Sequence, residues 1–182
     1  ETLLWKKFKH LRWYSFIGMQ KRVAPCLRRI ITVSAHARED IRREFRIPVE
    51  RFSVVPNGID TQLFHPLPGV AREPFRLIAT NSSDIALKGL HILLKAVAHL
   101  LPSHPKLQLV VVGMPKKKSA IFKLIRELGI GGCVHFTGRI PQDEYLHQYA
   151  RAWAAVVPSL YEGFGLPVGE APCLRGLCSE KL

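Results

Sequence analysis

From Arg29 onward the chain alternates short β-branched runs with longer stretches in which apolar residues recur every three or four positions. The first pattern fits strands, the second fits helices with one buried face. Ile30–Val33 and Phe52–Val55 are the first strand candidates, with a helix between them that opens on Ser34 as its cap and ends near Arg46. Further on, strands are predicted at Phe75–Thr80, Leu107–Val112, Val134–Thr137 and Ala154–Val157. Helices are predicted at Lys88–Leu101, around Ile121, Leu124, Ile125 and Leu128, at Gln142–Ala150, and from Leu166 onward. Leu107–Val112 is apolar enough to be buried on both faces. From Phe75 onward the order is βαβαβαβα, which predicts an α/β fold on a parallel sheet.

The alternation has one interruption. Pro56-Asn57-Gly58 is a turn signal, and Pro66, Pro68 and Pro74 follow with little periodicity. We therefore divide the chain into the end of an N-terminal domain over 1–58, an interdomain linker over 59–74 and a second domain over 75–182. At 182 residues there is room for one well-buried domain and an appendage. A hydrophobic content of 47% and a charged content of 23% exclude a disordered or fibrous chain. Glu1 and Leu182 carry no start or stop signal, so a fragment is expected, its second domain incomplete. No apolar run nears the roughly 20 residues of a membrane span, and the first 14 residues are too charged for a signal-peptide core.

Cys26, Cys133, Cys173 and Cys178 form neither a CxxC pair nor a zinc pattern with histidine, so free thiols are expected and no metal site. The formal charge is +13, and Lys6, Lys7, Lys9, Arg12, Lys21, Arg22, Arg28 and Arg29 concentrate it near the start. Interleaved with Leu4, Trp5, Phe8, Leu11, Trp13, Tyr14 and Phe16, they could form a basic face for anionic lipid or another polyanion. A surface helix whose apolar side packs on absent structure fits the same pattern.

Ligands of open parallel sheets bind at the carboxyl ends of the strands. That rule selects the loops Asn81–Lys88, Gly113–Lys118, Gly138–Pro141 and Pro158–Gly165. In the last, Gly163 and Gly165 let the backbone approach a ligand, and the helix that follows directs free N–H groups at it, as a phosphate requires. A tight strand-to-helix turn accounts for two glycines equally well. Lys88 could reach the same crevice or lie on the surface, and Lys116, Lys117 and Lys118 read mainly as a solvated run. Glu162 in the loop and Glu170 in the helix suit separate tasks, such as accepting from sugar or ribose hydroxyls, better than a paired acid and base. His36, His91 and His135 read as solvent-facing or satisfied core residues.

The run Glu162-Gly163-Phe164-Gly165-Leu166-Pro167-Val168-Gly169-Glu170-Ala171 resembles the E-x7-E signature of family 4 retaining glycosyltransferases, which have the GT-B fold of two Rossmann-like domains. Val33-Ser34, Val55-Pro56-Asn57-Gly58-Ile59-Asp60, Lys88-Gly89, Val111-Val112-Gly113 and Phe136-Thr137-Gly138-Arg139-Ile140 follow the family pattern in order, so the resemblance covers about residues 13–171. It implies a partial GT-B fold: the end of an acceptor domain and most of a Rossmann-like donor domain. It further implies transfer of a sugar from a nucleoside diphosphate sugar, with retention, to a glycan or lipid, without a metal ion or other cofactor. By the same resemblance Lys88 and Glu162 are the catalytic pair: Lys88 meets the diphosphate and Glu162 the donor-sugar hydroxyls. Gly163, Phe164 and Gly165 offer backbone N–H groups, Glu170 takes the ribose, and Arg139 and Ile140 line the base pocket. Apart from the resemblance, the lack of a span and of a signal core is read as a cytoplasmic setting, the basic aromatic start as electrostatic contact with the anionic inner face of a membrane, and no nucleic acid partner is expected.

Two segments depart from the pattern. Many relatives place an arginine a few residues before the lysine, where this chain has Asn81-Ser82-Ser83-Asp84-Ile85-Ala86-Leu87. After Ala171 the small-residue helix gives way to Pro172-Cys173-Leu174-Arg175-Gly176-Leu177-Cys178-Ser179, and Pro172 is expected to interrupt the helix. That loss of pattern suggests an altered or artificially ended tail. Two rivals are a nucleotide- or polyanion-binding module without catalysis, which the charge favours, and a phosphorylase of similar architecture, which would need a lysine-bound pyridoxal cofactor and which no sequence feature calls for.

Overall fold

The computed structural model describes residues 15–80, 86–116 and 119–174. The departures at 81–85, Lys117, Lys118, the basic residues of 1–14 and the tail from 175 onward lie outside the described residues. Two compact units divide the chain, Glu1–Gly58 and Ile59–Leu182. Among the described residues no helix is long and apolar enough to cross a membrane.

The first unit contains helix α1 (residues 15–23), strand β1 (Ile30–Thr32), helix α2 (Ala35–Phe45) and strand β2 (Phe52–Val54). β1 and β2 pair in parallel, Ile30 opposite Phe52. Ser34 caps α2 as its type predicts, its Oγ accepting from Ala37 N–H at 3.0 Å. Arg46, in the left-handed region at φ 54°, ends the helix and turns Ile47 into the interior, where it is 2% exposed. Lys21 of α1 pairs with Glu44 of α2, and the Arg51 guanidinium donates to the Pro25 carbonyl.

The second unit runs β3 (Glu73–Thr80), α3 (Leu90–Leu100), β4 (Gln108–Val112), α4 (Ala120–Glu127), β5 (Val134–Gly138), α5 (Gln142–Arg151), β6 (Ala152–Ala155) and α6 (Leu166–Leu174). The four strands are parallel and lie side by side in the order β5-β4-β3-β6. Alternation along the strands sorts their side chains onto two cores. Ala79, Leu109 and Val111 pack with Leu90, Leu93, Leu94 and Val97 of α3 and Ile125 of α4. Ile78, Val110 and Val112 pack with Leu146 and Tyr149 of α5 and Ala171 of α6. Burial on both faces explains why β4 reads Leu-Val-Val-Val without polar breaks. Leu63, Phe64 and Leu67, in the segment expected as linker, pack against the second core, and Asp60 opens this segment by accepting from Gln62 and Leu63 N–H at 3.0 and 3.1 Å.

Four elements depart from the sequence expectation by more than a single residue. β6 is Ala152–Ala155 rather than Ala154–Val157, because α5 passes into it at Arg151 with no loop, and an Ala-Trp-Ala-Ala run carries little strand signal of its own. β3 begins at Glu73 and includes a register shift before Leu77, where Phe75 takes φ 63°, a conformation costly for an aromatic residue. α3 starts at Leu90: Lys88 closes a 3-10 turn over Ala86–Lys88, and Gly89 is the cap. Pro172 does not stop α6, which continues to Leu174. Proline's fixed φ is itself helical, so the helix forgoes one N–H there instead of breaking.

From β3 the chain winds outward through β4 to β5 and then returns to place β6 on the other side of β3. The loop after β3 therefore leads to α3 on one face, while the loop after β6 leads to α6 on the other. Such a divergence leaves a crevice at the strand ends. Its floor is closed by backbone contacts: Val156 N–H bonds the Ile78 carbonyl at 2.8 Å, and Leu160 N–H bonds the Leu87 carbonyl at 2.8 Å. Gly89 sits at φ 67° with its missing Cβ only 1.8 Å from where the Pro158 carbonyl oxygen lies. Any side chain there meets backbone rather than a movable group, in a conformation that already disfavours it. Gly89→Ala should therefore destabilise the protein by about 2 kcal/mol or more. An unchanged midpoint in urea unfolding would show that the two loops are not in contact.

Candidate functional site

The two loops at the divergence carry opposite charges. Lys88 ends the turn after β3 and Glu162 lies in the loop after β6, and the Lys88 ammonium donates to Glu162 Oε1 at 2.8 Å. Ser159 Oγ donates to the same oxygen at 2.7 Å. Both partners are about 30% exposed, Lys88 at 28% and Glu162 at 29%, so the pair is reachable from solvent. The hydrogen bond from Lys88 first, then that from Ser159, holds the Glu162 carboxyl below its ordinary value, against the upward pull of burial. Lys88 keeps further N–H donors beyond the one given to Glu162.

Gly163, Phe164 and Gly165 follow, half-buried to buried, with Gly165 at φ 78°. The Gly165 carbonyl accepts from Val168 N–H at 2.8 Å and so begins α6. Glu170 lies one turn into α6, and its Oε2 accepts from the Tyr145 hydroxyl of α5 at 3.0 Å. The Tyr145 and Tyr149 rings are stacked at a tilt with centroids 4.6 Å apart, and the Tyr149 hydroxyl is 2.6 Å from Thr80 Oγ1 at the end of β3. Burial, followed by the neighbouring Tyr149 and the Glu170 charge, pushes the Tyr145 phenol far above its ordinary value, so it remains a donor at any pH of interest.

On the far side, Gly113 and Gly138 exchange backbone hydrogen bonds of 3.1 and 3.2 Å, joining the loops after β4 and β5. Arg139 is exposed there, whereas Ile140 is anchored in the second core. The structure thus brings Lys88 to Glu162 directly and seats Glu170 one helical turn beyond the glycine loop. Arg139 and Ile140 belong to the β5 loop and make no side-chain bond to those three residues among the described ones. Sequence reasoning missed Ser159, Tyr145, Tyr149 and Thr80. The i, i+4 spacing of Tyr145 and Tyr149 on a helix was the available signal; nothing local pointed to Ser159. Of the other candidates, His36 lies 3.5 Å from Asp40, His135 Nε2 lies 2.8 Å from Gln108 Oε1, and Cys133 is buried while Cys26 is exposed. Among the described residues no three His, Cys, Asp or Glu side chains gather as a metal would require.

Comparison with known proteins places this geometry. Residues 72–177 match the family model for glycosyl transferases group 1, and residues 2–63 match that for glycosyltransferase family 4. The chain is 44% identical over 168 residues to an MMP alpha-(1->4)-mannosyltransferase of Mycolicibacterium hassiacum, an alignment that covers 92% of this chain and 40% of that protein. The fold matches sucrose-phosphate synthase from Thermosynechococcus elongatus with a TM-score of 0.68 and 26% identity, over 86% of this chain and 42% of that one. It matches Anabaena HepE, crystallised with UDP and glucose, with a TM-score of 0.70 and 23% identity, over 86% of this chain and 46% of that one. The chain therefore spans between 40% and 46% of the length of these relatives. With the signature glutamates, the lysine and the crevice in one α/β unit, the chain belongs to the glycosyl transferases group 1 family, the retaining glycosyltransferases of family 4.

Proposed function

We propose that this chain is the donor-binding part of an enzyme that moves a hexose-type sugar, with retention, from a nucleoside diphosphate sugar to a glycan or lipid acceptor. The observation that carries the reading is the Lys88–Glu162 pair, held at 2.8 Å across the crevice between β3 and β6. A diphosphate and a sugar need a cation beside a carboxylate, and the pair supplies both within one hydrogen-bond length.

In the transfer, the bond between the anomeric carbon and the diphosphate oxygen breaks and negative charge grows on the departing diphosphate. Lys88 meets that charge with the N–H donors it has not given to Glu162, and the backbone amides of Gly163, Phe164 and Gly165 add their dipoles at the start of α6. These groups are fixed before the bond breaks, so they stabilise the transition state without reorganising. Glu162 keeps Oε2 for donor-sugar hydroxyls, since Oε1 already accepts from Lys88 and Ser159. Glu170 holds the ribose, while Arg139 and the core-anchored Ile140 border the base. The likeness to a mannosyltransferase at 44% identity supports a hexose as the transferred group.

Residues 1–58 belong in this reading to the acceptor domain, joined by 59–74 to the donor domain. Lys21, Arg22, Arg28 and Arg29 are exposed beside Phe16, Met19, Val23 and Leu27, each 45–51% exposed. A basic and apolar surface of this kind supports an acceptor at the anionic inner face of a membrane. The donor site alone is not expected to turn over without the rest of the acceptor domain.

A thermal-shift titration with UDP, GDP and ADP at low and moderate salt tests the reading, because a ligand that binds only the folded state raises its melting point. One nucleotide should give a selective shift that survives salt. A shift common to all polyanions and lost with salt would replace the donor site by nonspecific charge binding. Glu170→Ala should weaken nucleotide binding by about 1–3 kcal/mol through loss of charged hydrogen bonds, and an unchanged Kd by calorimetry would remove Glu170 from the site. The depressed Glu162 carboxyl contributes stability that is present above the ordinary glutamate value, near 4.3, and lost as the pH falls through its lower folded value. Melting temperature measured against pH should thus fall less steeply below about pH 4.3 in Glu162→Gln than in the parent.

A further inference from the structure

The proposed roles leave one half-buried group unused. Tyr145 lies on α5, 25 residues before Glu170, and its hydroxyl reaches Glu170 Oε2 at 3.0 Å. Glu170 itself is on α6, a helix of nine residues. A glutamate on such a helix has three rotatable bonds, and an unrestrained carboxylate would sample several directions into the crevice. Its Oε2 accepts from Tyr145, so a ribose contact would fall to Oε1.

We infer that Tyr145 is a positioning residue for Glu170: its hydroxyl fixes one carboxylate oxygen so that the other is presented to the ribose hydroxyls of the donor nucleotide. The ring that carries this hydroxyl is itself held. The Tyr145 ring is stacked on Tyr149 at 4.6 Å, Tyr149 is 4% exposed, and the Tyr149 hydroxyl is tied to Thr80 at 2.6 Å. The chain of contacts runs from the end of β3, through two aromatic rings on α5, to the carboxylate on α6. It thereby references a side chain on a short helix to the central strand of the sheet. A donor whose ring rests on a neighbour that is itself tied to the sheet transmits position, whereas one on a mobile side chain would not.

This inference rests on the reading of Glu170 as the ribose ligand, and the test separates the two. Kd would be measured on the full chain for the nucleoside diphosphate that shifts its melting point, for the 2′-deoxy and 3′-deoxy forms of that nucleotide, and for inorganic diphosphate. The parent should prefer the ribonucleotide to at least one deoxy form by roughly 5-fold or more, the size of one hydrogen bond. Glu170→Ala should abolish that preference. Tyr145→Phe keeps the ring and its stacking, and should abolish most of the preference while leaving inorganic diphosphate affinity unchanged. Tyr149→Phe, which removes the bond to Thr80 but not the one to Glu170, should retain part of the preference. Tyr145→Leu serves in place of Tyr145→Phe if the latter does not fold. Preference retained in Glu170→Ala overturns the ribose role and this inference together. Preference lost in Glu170→Ala but kept in Tyr145→Phe overturns the inference alone. Equal loss of ribonucleotide and inorganic diphosphate binding in Tyr145→Phe would mean a general structural role and would also overturn it.

Discussion

Everything at the candidate site depends on a reversal in strand order. β3 is flanked by β4 on one side and β6 on the other, so the loops leaving β3 and β6 part toward opposite faces. Parallel pairing forces both loops to emerge at the same end of the sheet. The crevice between them is thus a product of topology, and the chemistry has only to be hung on its two walls. Gly89 then sets the width: with no Cβ, the turn after β3 can touch the Pro158 carbonyl and bring Lys88 within 2.8 Å of Glu162.

The hydrophobic cores hold that frame. Ile78, Leu94, Leu109 and Val111 are essentially inaccessible to water, and each such side chain contributes on the order of 1.5–3 kcal/mol by leaving it. They lie on β3, β4 and α3, which carry the loops toward the site. The second core extends to Leu63, Phe64 and Leu67, so the stretch after Ile59 is packed structure where its prolines suggested only a connection. Proline content marks the absence of regular hydrogen bonding, not the absence of burial.

Strand and helix identity in the second unit was legible because doubly covered strands and one-sided helices leave different periods in the sequence. Val110 and Val111 belong to opposite cores, and a run of such residues is hard to mistake. β6 was legible only approximately. Its Ala152 and Ala155 pack in the second core, a placement that no local propensity encodes, and α5 enters it without a turn to mark the change. Phe75 was opaque for a different reason, since its positive φ follows from a register shift between two strands distant in sequence. At the site, Lys88, Glu162 and Glu170 stood out through their motif. Tyr145 did not, because the hydrogen bond that gives it meaning joins two separate helices, and Ser159 did not, because its bond to Glu162 lies within an irregular loop that leaves no period in the sequence.

The salt bridge at the crevice also bears on selectivity among anions. The chain as a whole carries +13, a field that draws polyanions of every kind toward its surface. Lys88, however, is neutralised from within by a carboxylate 2.8 Å away. At separations much longer than that, the two charges act as a dipole whose field falls off faster than that of a bare ion, and salt screens what is left. The ammonium is felt only by a group that has already entered and can bond to it at contact distance. The Lys88–Glu162 pair therefore adds little to the long-range pull that the charge of +13 exerts.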